Sequence, residues 1–260
     1  MEEWMNRLAA HHRRMRQTHP HGALAVVFDI DDTILYFRHM ILHVLRAFDQ
    51  SNDSDYFEGF EAEDMAVNEE GLFVMLRTLR IPRHERLRIM QWLRRYAWSS
   101  HVIRFSHRPF PGVMEVLRWI QSQRNTCVAL NTGRPEIIRS DTLQCLCGIG
   151  RSFGVSFSDD LLYMSRYAWG ERIAASKREG IEHFSQKGYH VIAFIDNEPE
   201  NLFAVAELDI SRDVLLLHAD MVYSGVNRII PPQAVRGNAY NAQELLHPTN
   251  TNKGFEKAAA

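Results

Sequence analysis

Short, nearly continuous apolar runs recur along the chain, separated by stretches with helical spacing. The runs are Leu24 to Phe28, Thr126 to Leu130, Phe153 to Phe157, Val191 to Ile195 and Val214 to Leu217. Apolar throughout and rich in β-branched residues, they predict strands covered on both faces, as in a parallel sheet. Helices are predicted between them at Val113 to Arg124, Pro135 to Cys147, Glu171 to Lys187 and Pro199 to Leu208. This alternation implies an α/β fold: a doubly wound, Rossmann-like parallel sheet. Ligands in such sheets bind beyond the carboxyl ends of the strands, where Asp29, Thr132 and Asp196 fall.

One interval breaks the rhythm. Nearly a hundred residues separate the first two strands, far more than a crossover needs. Helical patterns fill it at Phe37 to Phe48, Ala62 to Arg80 and Pro82 to Trp98, the last with proline near a helix start. The expected organisation is a polar helical extension over 1–22 and an α/β core over 23–36 and 107–246. An all-helical cap occupies 37–106, and a disordered polar tail 247–260. The cap's charges are segregated: Asp49 to Glu70 holds nine acids and no Lys or Arg, whereas Arg77 to Arg108 holds nine arginines and one acid, Glu85. Acidic and basic helices neutralising each other is the expectation; a lid steering an anionic substrate is the alternative.

Composition narrows the class without fixing a function. Of 260 residues, 45% are apolar and 24% charged, ordinary values for a globular protein, and the net charge of -2 offers no field to draw in nucleic acid or membrane. Nucleic acid is therefore not an expected partner. The three cysteines, Cys127, Cys145 and Cys147, are too few for a disulfide framework and wrongly spaced for a zinc knuckle, so reduced thiols and a cytoplasmic setting are expected. No run of eighteen apolar residues suggests a membrane span.

The candidate chemistry sits at the strand ends. Asp29-Ile30-Asp31-Asp32-Thr33 closes the first apolar run, and strand alternation puts Asp29 and Asp31 on one side. Like charges held that close are tolerable when a divalent cation lies between them or one is protonated. A hydroxyl and a glycine, Thr132 and Gly133, end the second strand before a predicted helix, a place where backbone N–H groups suit phosphate. Lys177 lies in a helix leading to the fourth strand. That strand delivers Asp196, with Glu198 and Glu200 close behind.

The order Asp-x-Asp-x-Thr, strand-Thr, Lys, strand-Asp, with a helical insert after the first motif, resembles the haloacid dehalogenase (HAD)-like hydrolase superfamily. The resemblance spans roughly Leu24 to Leu217, and Pro109-Phe110-Pro111-Gly112-Val113 looks like the return from the cap. It implies that Asp29 is the nucleophile of a phosphatase and Asp31 its general acid and base. It implies Mg²⁺ held by Asp29, the Asp31 backbone carbonyl and Asp196, with Thr132, Gly133 and Lys177 binding the phosphoryl oxygens. Thr33 and Asp32 are given to ordering the loop. Asn197 stands where many relatives carry a second acid, so Glu198 or Glu200 must serve, and Glu200 is the choice for an outer-shell partner. An acid at position 31 favours phosphate esters over halides, since a departing alkoxide needs a proton and a halide does not. A small phosphomonoester is the expected substrate. The alternatives are a protein or nucleic-acid phosphatase and a non-catalytic binding protein on the same fold.

Overall fold

The computed structural model describes residues 4–66, 68–167, 170–208, 213–222 and 228–246. Six parallel strands form one sheet in the order β3-β2-β1-β4-β5-β6. They are β1 (Ala23–Phe28), β2 (Thr126–Pro135), β3 (Leu162–Ser165), β4 (Tyr189–Asp196), β5 (Leu215–Ala219) and β6 (Val235–Gly237). The central four are almost wholly buried, as continuous apolar runs require. Chain order reverses about β1, so the crevice between β1 and β4 is the switch point where doubly wound sheets bind ligands.

The core helices are α6 (Val113–Ser122), α7 (Arg139–Arg151), α8 (Ile173–Gln186) and α9 (Pro199–Ala206), with a short α10 (Ala242–Leu246). Helix α1 (Trp4–Thr18) buries Trp4, Met5, Leu8 and Met15 in the main core, so the polar start of the chain is built into the α/β unit. Its His11 and His12 are buried too, with His12 Nε2 3.0 Å from Thr126 Oγ1.

Three expectations are corrected. Phe153 to Phe157 is no strand. The amides of Phe153 and Val155 both donate to the Gly150 carbonyl, Gly154 takes a φ of +68°, and the segment closes α7 as a turn. The third strand is instead Leu162–Ser165, four buried residues. Nor does a helix open after Gly133. Strand β2 runs on to Pro135, which pairs with Ser165 across an irregularity, and a 3₁₀ turn precedes α7. The helix expected over Ala62 to Arg80 divides into a 3₁₀ turn, Ala62–Asp64, and a helix, Glu69–Thr78.

The insert consists of α2 (Phe37–Asn52), α3 (Glu69–Thr78), α4 (Arg83–Tyr96) and α5 (Ser100–Phe105). It has an apolar core of its own, including Leu45, Phe48, Phe57, Leu76 and Ile89. Arg94 of α4 grips Glu69 of α3 through Nη2 at 2.7 Å and Nε at 3.1 Å, a neutralising contact between the basic and acidic stretches. The chain enters and leaves this subdomain at one point. Leu35 and Pro109 form an antiparallel bridge, the Tyr36 amide donates to the Arg108 carbonyl at 2.8 Å, and the Phe110 amide donates to the Ile34 carbonyl at 2.9 Å. The tail from His247 lies outside the described residues.

Candidate active site

Register brings the two acids together. Phe28 is opposite Ile195, so the next residues along, Asp29 and Asp196, leave adjacent strand tips side by side, and the Asp29 amide donates to the Ile195 carbonyl at 2.9 Å. Both carboxylates are buried, at 6% and 0% exposure. Such burial is costly without a cation or donors. Lys177, itself 1% exposed, supplies the cation: its Nζ donates to Asp29 Oδ1 and lies 2.9 Å from Asp196 Oδ2.

Helix α8 can deliver that ammonium because it packs tightly on β2. Lys177 Nζ also donates to the Asn131 carbonyl at 2.6 Å, while Asn131 Nδ2 donates to the Lys177 carbonyl at 2.8 Å. Gly180, one turn on, makes room: a Cβ there would lie 2.4 Å from the Asn131 side chain. The neighbouring cations have other employment. Arg172 stacks over Tyr167 at 4.6 Å, and Lys187 donates to the Asp160 carbonyl at the surface.

Asp196 is oriented by its own loop. Its Oδ1 accepts from the Glu198 amide at 2.8 Å and from Asn201 Nδ2 at 2.9 Å. Asn201, in the first turn of α9, therefore holds the carboxylate, while Glu200 faces outward and is exposed. Glu198 takes a guanidinium contact from Arg228.

Asp31 faces a different cation. Arg134 Nε and Nη2 donate to its two carboxylate oxygens at 2.8 and 2.6 Å, a fork-to-fork pair. Asp32 stays in the loop, with φ +53°, its Oδ1 accepting from the amide of Phe37 that opens α2 at 3.1 Å. Thr33 is fully buried, and its carbonyl accepts from Tyr240 Oη at 3.0 Å. Thr132 is buried at the end of β2, and its Oγ1 accepts from the Arg134 amide at 3.2 Å, which leaves its hydroxyl proton free to donate elsewhere. Gly133 packs against Ile173.

Burial raises Asp29 to about 7, with Lys177 opposing the rise and Asp196 and Asp31 adding to it. Burial alone would depress Lys177, but Asp196 and Asp29 outweigh it and hold the ammonium above its ordinary value. Asp31 would also rise on burial, yet Arg134 holds it below the usual carboxylate range. Burial pushes Asp32 up to about 7.

Three carboxylates thus share two cations. Among the described residues no three His, Cys, Asp or Glu side chains converge to form a metal site by themselves. The donors that meet at this tip are instead two carboxylates, Asp29 and Asp196, all oxygen. That hard set, with Asp29 still displaced upward by burial and by its acidic neighbours, fits a magnesium-type ion.

No protein-family profile and no curated protein matches the sequence. Solved structures do. A candidate β-phosphoglucomutase from Thermotoga maritima superposes with a TM-score of 0.51 at 19% identity, covering 86% of this chain and 96% of that one. The fold is that of the HAD-like hydrolases. A HAD-superfamily hydrolase of subfamily IA from Geobacter sulfurreducens gives a TM-score of 0.51 at 14% identity, over 87% and 96% of the two chains. A HAD family hydrolase from Deinococcus radiodurans, solved with phosphate and sodium bound, gives 0.50 at 11% identity, over 86% and 94%. In the HAD-like frame, four side chains went unassigned in the sequence: Arg134, His107, Asn131 and Asn201. Arg134 and Asn131 flank Thr132-Gly133 directly, and that adjacency was the signal available for them.

Proposed function

We propose that this protein is a Mg²⁺-dependent phosphohydrolase that acts on a small phosphomonoester through an aspartyl-phosphate on Asp29. The observation that carries the reading is the meeting of Asp29, Asp196 and Lys177 at the switch point, with Asp31 two residues from the nucleophile. The phosphate held by the Deinococcus protein of the same fold supports it.

An Asp29 carboxylate oxygen attacks phosphorus, and the bond from phosphorus to the ester oxygen breaks. Asp31, which leaves the Arg134 fork and takes up a proton from solvent as substrate binds, gives that proton to the departing oxygen, then takes one from the water that attacks phosphorus and frees Asp29. The ammonium of Lys177 and the hydroxyl of Thr132 hold phosphoryl oxygens and balance their charge. Asp29, Asp196 and the Asp31 carbonyl would hold Mg²⁺, which would supply charge neutralisation at the phosphoryl group. Asn201 keeps Asp196 aimed, and Asn131 keeps Lys177 aimed. In this reading the helical insert serves as the cover that limits substrate size. Among the described residues no helix is long and apolar enough to cross a membrane, and the three cysteines are free, in keeping with a cytoplasmic enzyme.

The test is turnover of an aryl phosphate with and without Mg²⁺. Hydrolysis should vanish on chelation and fall at least about 1,000-fold in Asp29→Asn, as expected for loss of a nucleophile. Full turnover by Asp29→Asn would remove the assignment.

A further inference from the structure

Arg134 joins three parts of the molecule. It is 1% exposed, and each edge of its guanidinium has a partner. Nε and Nη2 grip the Asp31 carboxylate, and Nη1 donates to Thr142 Oγ1 of α7 at 3.3 Å. Nη2 also lies 2.9 Å from His107 Nε2, and the Trp98 ring covers the guanidinium at 5.5 Å. Because arginine only donates, His107 Nε2 must be the acceptor, and its proton sits on Nδ1. His107 is 2% exposed, faces the carbonyls of Ile103 and Val102 at the end of α5, and is driven by burial and by Arg134 down to about 4, so it stays neutral. Trp98 and His107 belong to the last part of the insert and the chain leaving it. The seam is completed by Ser100 Oγ, which donates to Asp141 Oδ1 at 2.7 Å, and by α5 packing on α7 with Ile103 in the main core.

We propose that Arg134 is a positioning residue that couples the seating of the helical insert to the placement of Asp31. One guanidinium holds both, so whatever draws Asp31 toward a leaving oxygen changes how firmly His107 and Trp98 are held. By linkage, the seating of the insert biases Asp31 to the same extent. The role of Asp31 in proton transfer rests on the phosphohydrolase reading above; the coupling itself does not. Lysine could not serve, because a point charge lacks the planar fork that reaches two carboxylate oxygens and an imidazole together.

Amide hydrogen exchange on the full chain tests this without relying on turnover. Arg134→Gln should speed exchange over residues 98–110 about tenfold or more, leaving β1 and β4 unchanged. Asp31→Asn, nearly isosteric and at a partly exposed site, should loosen the same residues, because it weakens the fork while leaving Trp98 and His107 unchanged. The double variant should exchange no faster than the faster single one. Arg134→Lys should regain only part of the protection. Unchanged exchange in Asp31→Asn, or multiplied effects in the double variant, would overturn the coupling; complete protection in Arg134→Lys would overturn the need for a fork. Should the intact protein hydrolyse no phosphate ester while the exchange pattern holds, the phosphohydrolase reading falls and the coupling stands.

Discussion

Asn131 and Lys177 hold each other by two reciprocal hydrogen bonds, backbone carbonyl to side chain in both directions, at 2.6 and 2.8 Å. The lysine that neutralises two buried acids is thereby fixed to the strand that carries Thr132. Its aim depends on how closely α8 approaches β2.

Gly180→Ala tests that dependence. The new methyl would sit 2.4 to 2.5 Å from three atoms of Asn131, too close to be absorbed without a shift. A loss of roughly 1–3 kcal/mol is expected, as for other overpacked sites. Activity should fall as well, because Lys177 moves with Asn131. Thermal unfolding together with kcat/KM for an aryl phosphate reads both, and a variant matching the native protein in each would refute the packing argument.

Bound Mg²⁺ should stabilise the fold. At a hundred times Kd the gain is about 2.7 kcal/mol, and it should disappear in Asp196→Asn. Differential scanning fluorimetry in Mg²⁺ and in chelator makes the comparison; an equal shift in native protein and variant would place the ion elsewhere.

Replacing Asp31 by Asn should slow esters with poor leaving groups by about 100-fold or more, and aryl esters with good ones far less. Rates measured across a graded series of leaving groups decide it. A uniform loss would count against proton donation.

Acid should weaken the fold through His12. Burial, then Arg16, lowers this imidazole from 6.5 to about 4, so between those values the unfolded chain binds a proton that the folded one refuses. The contribution is whole above about 6.5 and is lost as pH falls toward 4. Roughly 1–2 kcal/mol should vanish between pH 7 and 5. Denaturant melts at the two pH values should show this slope, and His12→Gln should flatten it. An unchanged slope in the variant would assign the effect to other groups.

The sheet and the acids at its edge were legible because burial on both faces leaves an unbroken apolar run, and a carboxylate ending such a run stands out. Asp29 and Asp196 stand out by local pattern, Lys177 only through the resemblance in motif order, and the structure brings the three together. Failures occurred where the deciding partner was remote or the run was ambiguous. Phe153 to Phe157 is as apolar as a strand, but the carbonyl of Gly150 captures its amides and turns it. Arg134 carries no expectation in the sequence, because its meaning comes from Asp31, 103 positions away. Glu200 is the choice over Glu198 for a metal's outer shell; the group that reaches the Asp196 carboxylate itself, a separate role, is the Asn201 amide.

The bridge between Leu35 and Pro109 has a further consequence. Because the chain departs and returns through one narrow doorway, the helices from Phe37 to Tyr96 could be exchanged for a bundle of another shape without cutting a strand of the sheet. The sheet and the bundle above it are then separable parts, joined where Trp98 and His107 meet Arg134.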